Sequence, residues 1–309
     1  MLCLVLGAGG FIGTNLCRAL LMKGHTVRAF GRRQSFPEAL HGCDWIAGDF
    51  ADPVSLAAAI SGCDVVFHLV NATTPASANA DKIADLNANV ASTLHLLDAC
   101  CEAGVSRVVF VSSGGTIYGI PDQVPTPETA PTNPITAYGI SKLAIEKYLG
   151  LYEYLHHLDY RVLRVANPFG PYQTALKNQG VIAAFVRRAL TGQPIEMWGD
   201  GCVIRDYIYI DDVVDALILA ATHQGLSRIF NIGSGEGRSL NDIVAAINRL
   251  LGANIPLEHR QARSVDVPVS ILDTTLAARE LIWRPSTPFE EGLRATIAWM
   301  KSKHGDTAC

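Results

Sequence analysis

The sequence predicts an α/β fold, a doubly wound parallel sheet followed by a smaller C-terminal α/β part. Three observations point there. The chain opens on an apolar run, a glycine turn and a helical pattern within Met1 to Leu20. Strand-like and helix-like segments then alternate as far as Val165. The strands read as short continuous apolar runs, the pattern of strands covered on both faces. At 309 residues the chain can bury a large core, as one big α/β domain or one and a half.

The first strand holds Leu2, Leu4, Val5 and Leu6, and Phe11, Leu16, Leu20 and Leu21 continue with helical spacing beyond it. Between them lies Gly7-Ala8-Gly9-Gly10-Phe11-Ile12-Gly13, which reads G-x-x-G-x-x-G through Gly7, Gly10 and Gly13. The commoner G-x-G-x-x-G would need glycine at Ile12. Glycines let the backbone turn sharply towards a pyrophosphate, and the following helix N-terminus offers free N–H groups and positive dipole. A tight strand-to-helix turn alone would use the same glycines, so the rest of the chain decides.

Thr26 to Phe30 is the second strand, and Gly31-Arg32-Arg33 follows it. In a dinucleotide fold an acidic residue here would hold the ribose 2′-hydroxyl. No carboxylate is present to repel a 2′-phosphate, and two guanidinium groups can hold one. That favours NADP, with NAD second, over the reading of two solvated loop charges. Trp45 to Phe50 reads as a third strand, with Asp49 a candidate for the adenine amino group. Asp64 to Val70 is the fourth, followed by the loop Asn71-Ala72-Thr73-Thr74-Pro75. His68, inside an apolar strand, reads as a core histidine. Ala80 to Cys101 carries Ile83, Leu86, Val90, Leu94 and Leu97 along one helical stripe. Asn89 on it either packs or reaches the fifth strand or its loop.

That strand is Arg107 to Val111, and Ser112-Ser113-Gly114-Gly115-Thr116-Ile117-Tyr118-Gly119 follows. Ser112, Ser113 and Thr116 serve as turn residues or line the reacting centre. After a proline-rich loop, Tyr138-Gly139-Ile140-Ser141-Lys142 opens a helix. Tyrosine and lysine at i and i+4 share a face, and a cation there lowers a tyrosine pKa from its usual value near ~10. Arg161 to Val165 is the next strand, ending in Asn167-Pro168. Beyond it the alternation loosens, which predicts a dinucleotide-binding domain over 1–170, rejoined by 203–235, and a substrate part formed by 171–202 and 236–309. Val181 to Leu190, Asp211 to Ala221 and Ser239 to Leu251 read as helices. Glu196 to Trp198 and Ile229 to Gly233 read as strands, and Arg263 and Asp266 lie in a polar loop before Val269 to Leu272.

Net charge of −4 gives no basic footprint, so neither nucleic acid nor an anionic membrane is expected as partner. Eight cysteines without a C-x-x-C pair, and no leader-like N-terminus, predict reduced thiols in a cytoplasmic protein. No metal site is assigned.

Together these residues resemble the extended short-chain dehydrogenase/reductase family, and within it the nucleotide-sugar epimerases of the UDP-glucose 4-epimerase type, on a Rossmann sheet. The resemblance rests on the glycine turn, Asp49-Phe50, Asn89-Val90, Ser112 to Gly119, Tyr138 to Lys142, Asn167-Pro168, Arg205-Asp206-Tyr207-Ile208 and Arg263-Ser264-Val265-Asp266-Val267-Pro268. It implies that Tyr138 as phenolate takes a proton from a sugar hydroxyl while hydride leaves the same carbon for nicotinamide. Hydride then returns to the other face. Lys142 would hold the nicotinamide ribose and lower the Tyr138 pKa. Cofactor contacts would come from Gly7, Gly10, Phe11, Ile12, Gly13, Arg32, Arg33, Asp49, Phe50, Leu69, Val70, Asn89, Ser112, Tyr138 and Lys142. Substrate contacts would come from Thr116, Tyr138, Asn167, Val181, Arg205, Arg263 and Asp266.

Two departures stand out. The family's hydroxyl partner of the tyrosine falls at Gly114, so Thr116, Ser113 or Ser112 must replace it, with Thr116 favoured. The family's ribose-binding aspartate falls at Gly31, in line with NADP. A 4-ketosugar reductase and a non-catalytic NADP-binding protein are the alternatives. A 4,6-dehydratase lacks its carboxylates, because Gly114-Gly115-Thr116 offers none. By analogy the substrate would be a UDP- or dTDP-hexose of surface-polysaccharide (O-antigen) pathways, dTDP-L-rhamnose included. Helices 80–101 and 137–155 would pair in a homodimer.

Overall fold

The structure, a computed structural model, describes residues 1–174, 180–261 and 267–305. The first part runs β1 (Leu2–Leu6), α1 (Phe11–Met22), β2 (Thr26–Gly31), β3 (Asp44–Ala47), α2 (Pro53–Ile60), β4 (Val65–His68), α3 (Pro75–Ala80), α4 (Lys82–Asp85), α5 (Ser92–Glu102), β5 (Arg107–Ser113), α6 (Ala137–His156) and β6 (Asp159–Val165). The second runs β7 (Asn167–Phe169), α7 (Val181–Leu190), β8 (Ile195–Trp198), β9 (Ile204–Tyr209), α8 (Ile210–Thr222), β10 (Ile229–Ile232), β11 (Gly237–Ser239), α9 (Leu240–Leu251), β12 (Leu257–Arg260), β13 (Val269–Ser270), α10 (Thr275–Glu280) and α11 (Phe289–Gly305).

Seven strands form one parallel sheet in the order β10-β6-β5-β4-β1-β2-β3. Alternate residues of each strand face opposite sides. Cys3, Val5, Phe67, Val109 and Leu163 pack under α1 and α8, whereas Leu4, Leu6, Val66, Phe110 and Val162 pack under α2, α5 and α6. Each such burial contributes about 1.5–3 kcal/mol. The α8 side continues into Ile195, Met197, Ile243 and Leu293, so the C-terminal part shares that core. The strand order reverses between β1 and β4, and the crevice at the strands' C-terminal ends is where such sheets take ligands.

A smaller sheet places β9 between β11 and β13, with β7 also pairing β9. Of residues 203–235, α8 packs on the large sheet and β10 joins it, while β9 belongs to the small sheet. Buried Asp206 clamps the small sheet by accepting from the backbone N–H groups of Ser234, Gly235 and Leu272.

Local chemistry corrects several sequence expectations. The helix expected over Ala80 to Cys101 is broken, because Asp81 leaves helical backbone and caps α4 by accepting from Ala84 N at 2.9 Å. Residues Leu86–Ala91 are then π-helical before α5 begins. Strand β3 stops at Ala47 and β4 at His68, short of the apolar runs that suggested them. Helix α2 was signalled by Asp52, its N-cap, and by Pro53 at its first position, but has too short a stripe to show by periodicity. Helix α11, with Glu290 and Glu291 in its first turn, is likewise additional. The described cysteines are free thiols. No described helix is long and apolar enough to cross a membrane.

Candidate active site

The glycine turn is shaped by contacts that leave no room for side chains. Gly7 takes a φ of +81°, open to glycine but strained for other residues. Its N–H and that of Ala8 both donate to Phe30 O on β2, at 3.0 and 3.2 Å. A Cβ at Gly13 would lie 2.3 Å from Gly7 O, and one at Gly9 2.2 Å from Arg33 O. Gly9, to which the sequence pattern gave no role, is thus as constrained as Gly13. Helix α1 starts after Gly10 with no side-chain cap and no acid in its first turn. The N-terminal amides at Phe11 and Ile12 therefore face an open cradle that fits a dinucleotide's pyrophosphate.

Arg32 and Arg33 are exposed beside this turn. The Gly31 position is closed by Trp45, whose ring would lie 3.3 Å from a Cβ there. Asp49 is exposed, with Oδ1 accepting from Ala51 N at 3.0 Å. The Phe50 side chain, by contrast, is buried 5.0 Å from the His68 ring, so any nucleotide contact it makes is through its backbone. Leu69 and Val70 lie against Gly7. Asn89 is engaged with the protein: Oδ1 accepts from Ala72 N, and Nδ2 donates to Asp85 and Thr73, so it shapes the loop after β4 rather than reaching the fifth strand. His68 is a core residue, as its strand suggested. Its Nε2 lies 2.9 Å from Thr93 Oγ1, and burial pulls its pKa down to about 3.

Neighbouring serines of β5 point to opposite faces. Ser112 Oγ donates to buried Glu146 Oε1 at 2.7 Å, which removes it from the reacting centre. Glu146 is held in turn by Arg164 at 2.7 Å. Ser113, rather than the favoured Thr116, is the hydroxyl whose influence pulls the Tyr138 pKa down. Gly114 is required by packing, since a Cβ there would lie 2.4 Å from Leu272 Cδ1 and 3.1 Å from Arg164 O. Among the described residues Thr116 Oγ1 is buried without a hydrogen-bond partner, an unused donor beside the tyrosine's helix.

Thr136 caps α6 by accepting from Gly139 N at 3.1 Å, which fixes the turn carrying Tyr138. Lys142 is 4% exposed, and its Nζ donates to Val111 O at 2.9 Å and lies 5.9 Å from the Tyr138 ring centre. The expectation that Lys142 lowers the tyrosine pKa is not met by the protein groups alone. Burial, then the Asp85 charge, push Tyr138 up to about 12 against the pull of Ser113. Burial brings Lys142 down to about 8 against Glu146 and Asp85.

At the substrate end, Asn167 Nδ2 donates to Asp206 O at 2.9 Å. Arg205 Nη1 donates to Ile204 O at 2.9 Å and Val267 O at 2.5 Å. Val181 opens α7 after Gly180, again without a side-chain cap. Arg263 and Asp266 lie outside the described residues.

A glycine cradle at a helix start, with a serine at the end of β5 and a tyrosine–lysine pair on α6, defines a nicotinamide-dinucleotide enzyme that moves a proton with tyrosine. The chain belongs to the NAD-dependent epimerase/dehydratase family, whose model matches residues 3–233. It is 36% identical to a UDP-glucose 4-epimerase of Mycolicibacterium smegmatis over 97% of this chain and 98% of that one. The UDP-glucose 4-epimerase of Thermotoga maritima, solved with UDP-glucose, superposes with a TM-score of 0.94 at 34% identity, covering 98% of this chain and all of that one. That of Thermus thermophilus, solved with NAD, gives 0.90 at 31%, covering 97% and 99%.

Proposed function

We propose that the protein is a nucleotide-diphosphate-sugar 4-epimerase acting on a UDP- or dTDP-hexose. The observation that carries this is the Ser113–Tyr138–Lys142 group at the sheet's carboxyl edge, beside the glycine cradle, with no carboxylate next to Thr116. A bound nicotinamide dinucleotide supplies reversible uptake of hydride from the sugar carbon. Tyr138 takes the hydroxyl proton and returns it, and Ser113 orients the phenol. Lys142 holds its ammonium beside the ring at a position fixed by Val111 O. Thr116 Oγ1 is free to hold the sugar hydroxyl. Asn167, Arg205, Arg263, Asp266 and the N-terminus at Val181 grip the nucleotide diphosphate or its ribose, so that a ketosugar turns over without leaving.

NADP is the proposed cofactor, with NAD second. Exposed Arg32 and Arg33 beside a carboxylate-free Gly31 support it. Replacing both arginines with serine should weaken NADPH binding roughly 10- to 100-fold and leave NADH within about twofold, read by fluorescence titration. The same arginines favour a second reading, an NADPH-dependent 4-ketosugar reductase. A panel of nucleotide sugars separates the two. Formation of the C4 epimer without net absorbance change supports the epimerase, and stoichiometric NADPH consumption on a 4-ketosugar supports the reductase.

A homodimer through α3–α5 and α6 belongs to this proposal. Ile83, Leu86, Ile140, Leu151, Tyr154 and Leu155 expose apolar surface on those segments.

A further inference from the structure

Asp85, at the end of α4, is 1% exposed and has no part in the sequence motifs. Its Oδ2 accepts from Ser141 Oγ at 2.5 Å, and Ser141 lies between Tyr138 and Lys142 on α6. Its Oδ1 accepts from Asn89 Nδ2 at 2.9 Å and from Thr73 Oγ1. Asn89 lies one turn beyond Asp85, within the π-helical stretch that follows α4, and such insertions in helices often mark functional sites. All three donors are neutral. They solvate the carboxylate without cancelling its charge, and a buried charge without a partnering cation is costly to keep. Its field falls on Tyr138 and Lys142, both of which feel it.

We propose that Asp85 is a positioning residue for the proton transfer: through Ser141 it ties the catalytic turn of α6 to the Thr73–Asn89 loop, and it holds a fixed negative charge against the tyrosine–lysine pair. The proposal rests on Tyr138 being the acid–base group. The other charged and titratable groups facing the pair are distinct from it. Glu146, one turn along α6 from Lys142, is ion-paired with Arg164 at 2.7 Å, and its charge raises the Lys142 pKa alongside that of Asp85. His68, from β4, is neutral because burial holds its pKa far below the usual imidazole range. Asp85 is therefore the anionic group around the pair that no cation pairs among the described residues, and it favours phenol over phenolate and ammonium over amine.

The test is a spectroscopic titration of the full-length protein, reading Tyr138 ionisation as the phenolate difference against Tyr138→Phe in the same background. In Asp85→Asn the Tyr138 midpoint should fall by about one pH unit or more, a tenfold change in the proton equilibrium. The acid limb of kcat should move the same way. Ser141→Ala keeps the charge and cuts the tie, so the midpoint should stay while kcat falls about tenfold at unchanged KM. Should Asp85→Asn not fold, Asp85→Ser, which leaves room for a water to serve the three donors, reads the same midpoint. An unmoved midpoint in the charge-removing variant overturns the proposal, as does an equal shift in Ser141→Ala. The titration uses no substrate. Failure of the sugar-epimerase reading would instead show as no C4 epimer formed from any nucleotide sugar by the unsubstituted protein, while the Tyr138 midpoint still shifts in Asp85→Asn, so the two failures are distinguishable.

Discussion

The two halves of the crevice are made of different material. On the β1–β3 side the site is backbone: two amides on Phe30 O, an uncapped helix start, and glycines at positions 9 and 13 that no Cβ could occupy. On the β4–β6 side it is a set of buried side chains, with one network of Asp85, Asn89 and Ser141 and another of Ser112, Glu146 and Arg164. A backbone cradle offers donors to a phosphate with no proton inventory of its own. Side-chain networks in a low dielectric set which groups are charged, which is what a proton-transfer centre needs. The division of labour between binding and chemistry follows from that difference.

The comparison is broken most severely at Tyr138. Tyr138→Phe keeps the ring and removes the proton, so kcat should fall roughly 10³- to 10⁴-fold while dinucleotide affinity is kept, as steady-state kinetics and cofactor titration would show. Gly13→Ala attacks the other half. Its Cβ would lie 2.3 Å from Gly7 O, so the turn must shift. Dinucleotide affinity should fall about 100-fold and stability by about 1–3 kcal/mol, measured by calorimetry and thermal unfolding. The sharpest small contrast uses adjacent residues. Ser113→Ala should lower kcat about tenfold without changing stability much. Ser112→Ala should leave kcat within about twofold and cost about 1–3 kcal/mol, because it strands buried Glu146. Equal effects from the two serines would mean that β5 does not divide chemistry from packing.

The same contrast explains what the sequence made legible. Glycines are demanded by local geometry over a few residues, so the cradle and the strand–helix alternation of the large sheet could be read from spacing, as could the Tyr138–Lys142 pair on one helix face. The side-chain half could not, since Ser112 meets Glu146 34 residues away and Ser141 meets Asp85 56 residues away. That is why Thr116 was favoured over Ser113. A period-two strand tells which serines share a face, but not which face the tyrosine's helix leaves open. Gly114 read as a departure from a motif and proves to be a packing requirement set by Leu272, a residue far along the chain. The small sheet around β9 was invisible for the same reason, as its strands are short and their partners remote.

The most direct measurement of the central claim uses a nucleotide sugar deuterated at C4. Hydride taken from that carbon and returned to its other face within one closed site predicts that the C4 epimer keeps its deuterium, in ordinary water and without net cofactor consumption. Loss of the label to solvent, or inversion that proceeds unchanged in Tyr138→Phe, would contradict the account.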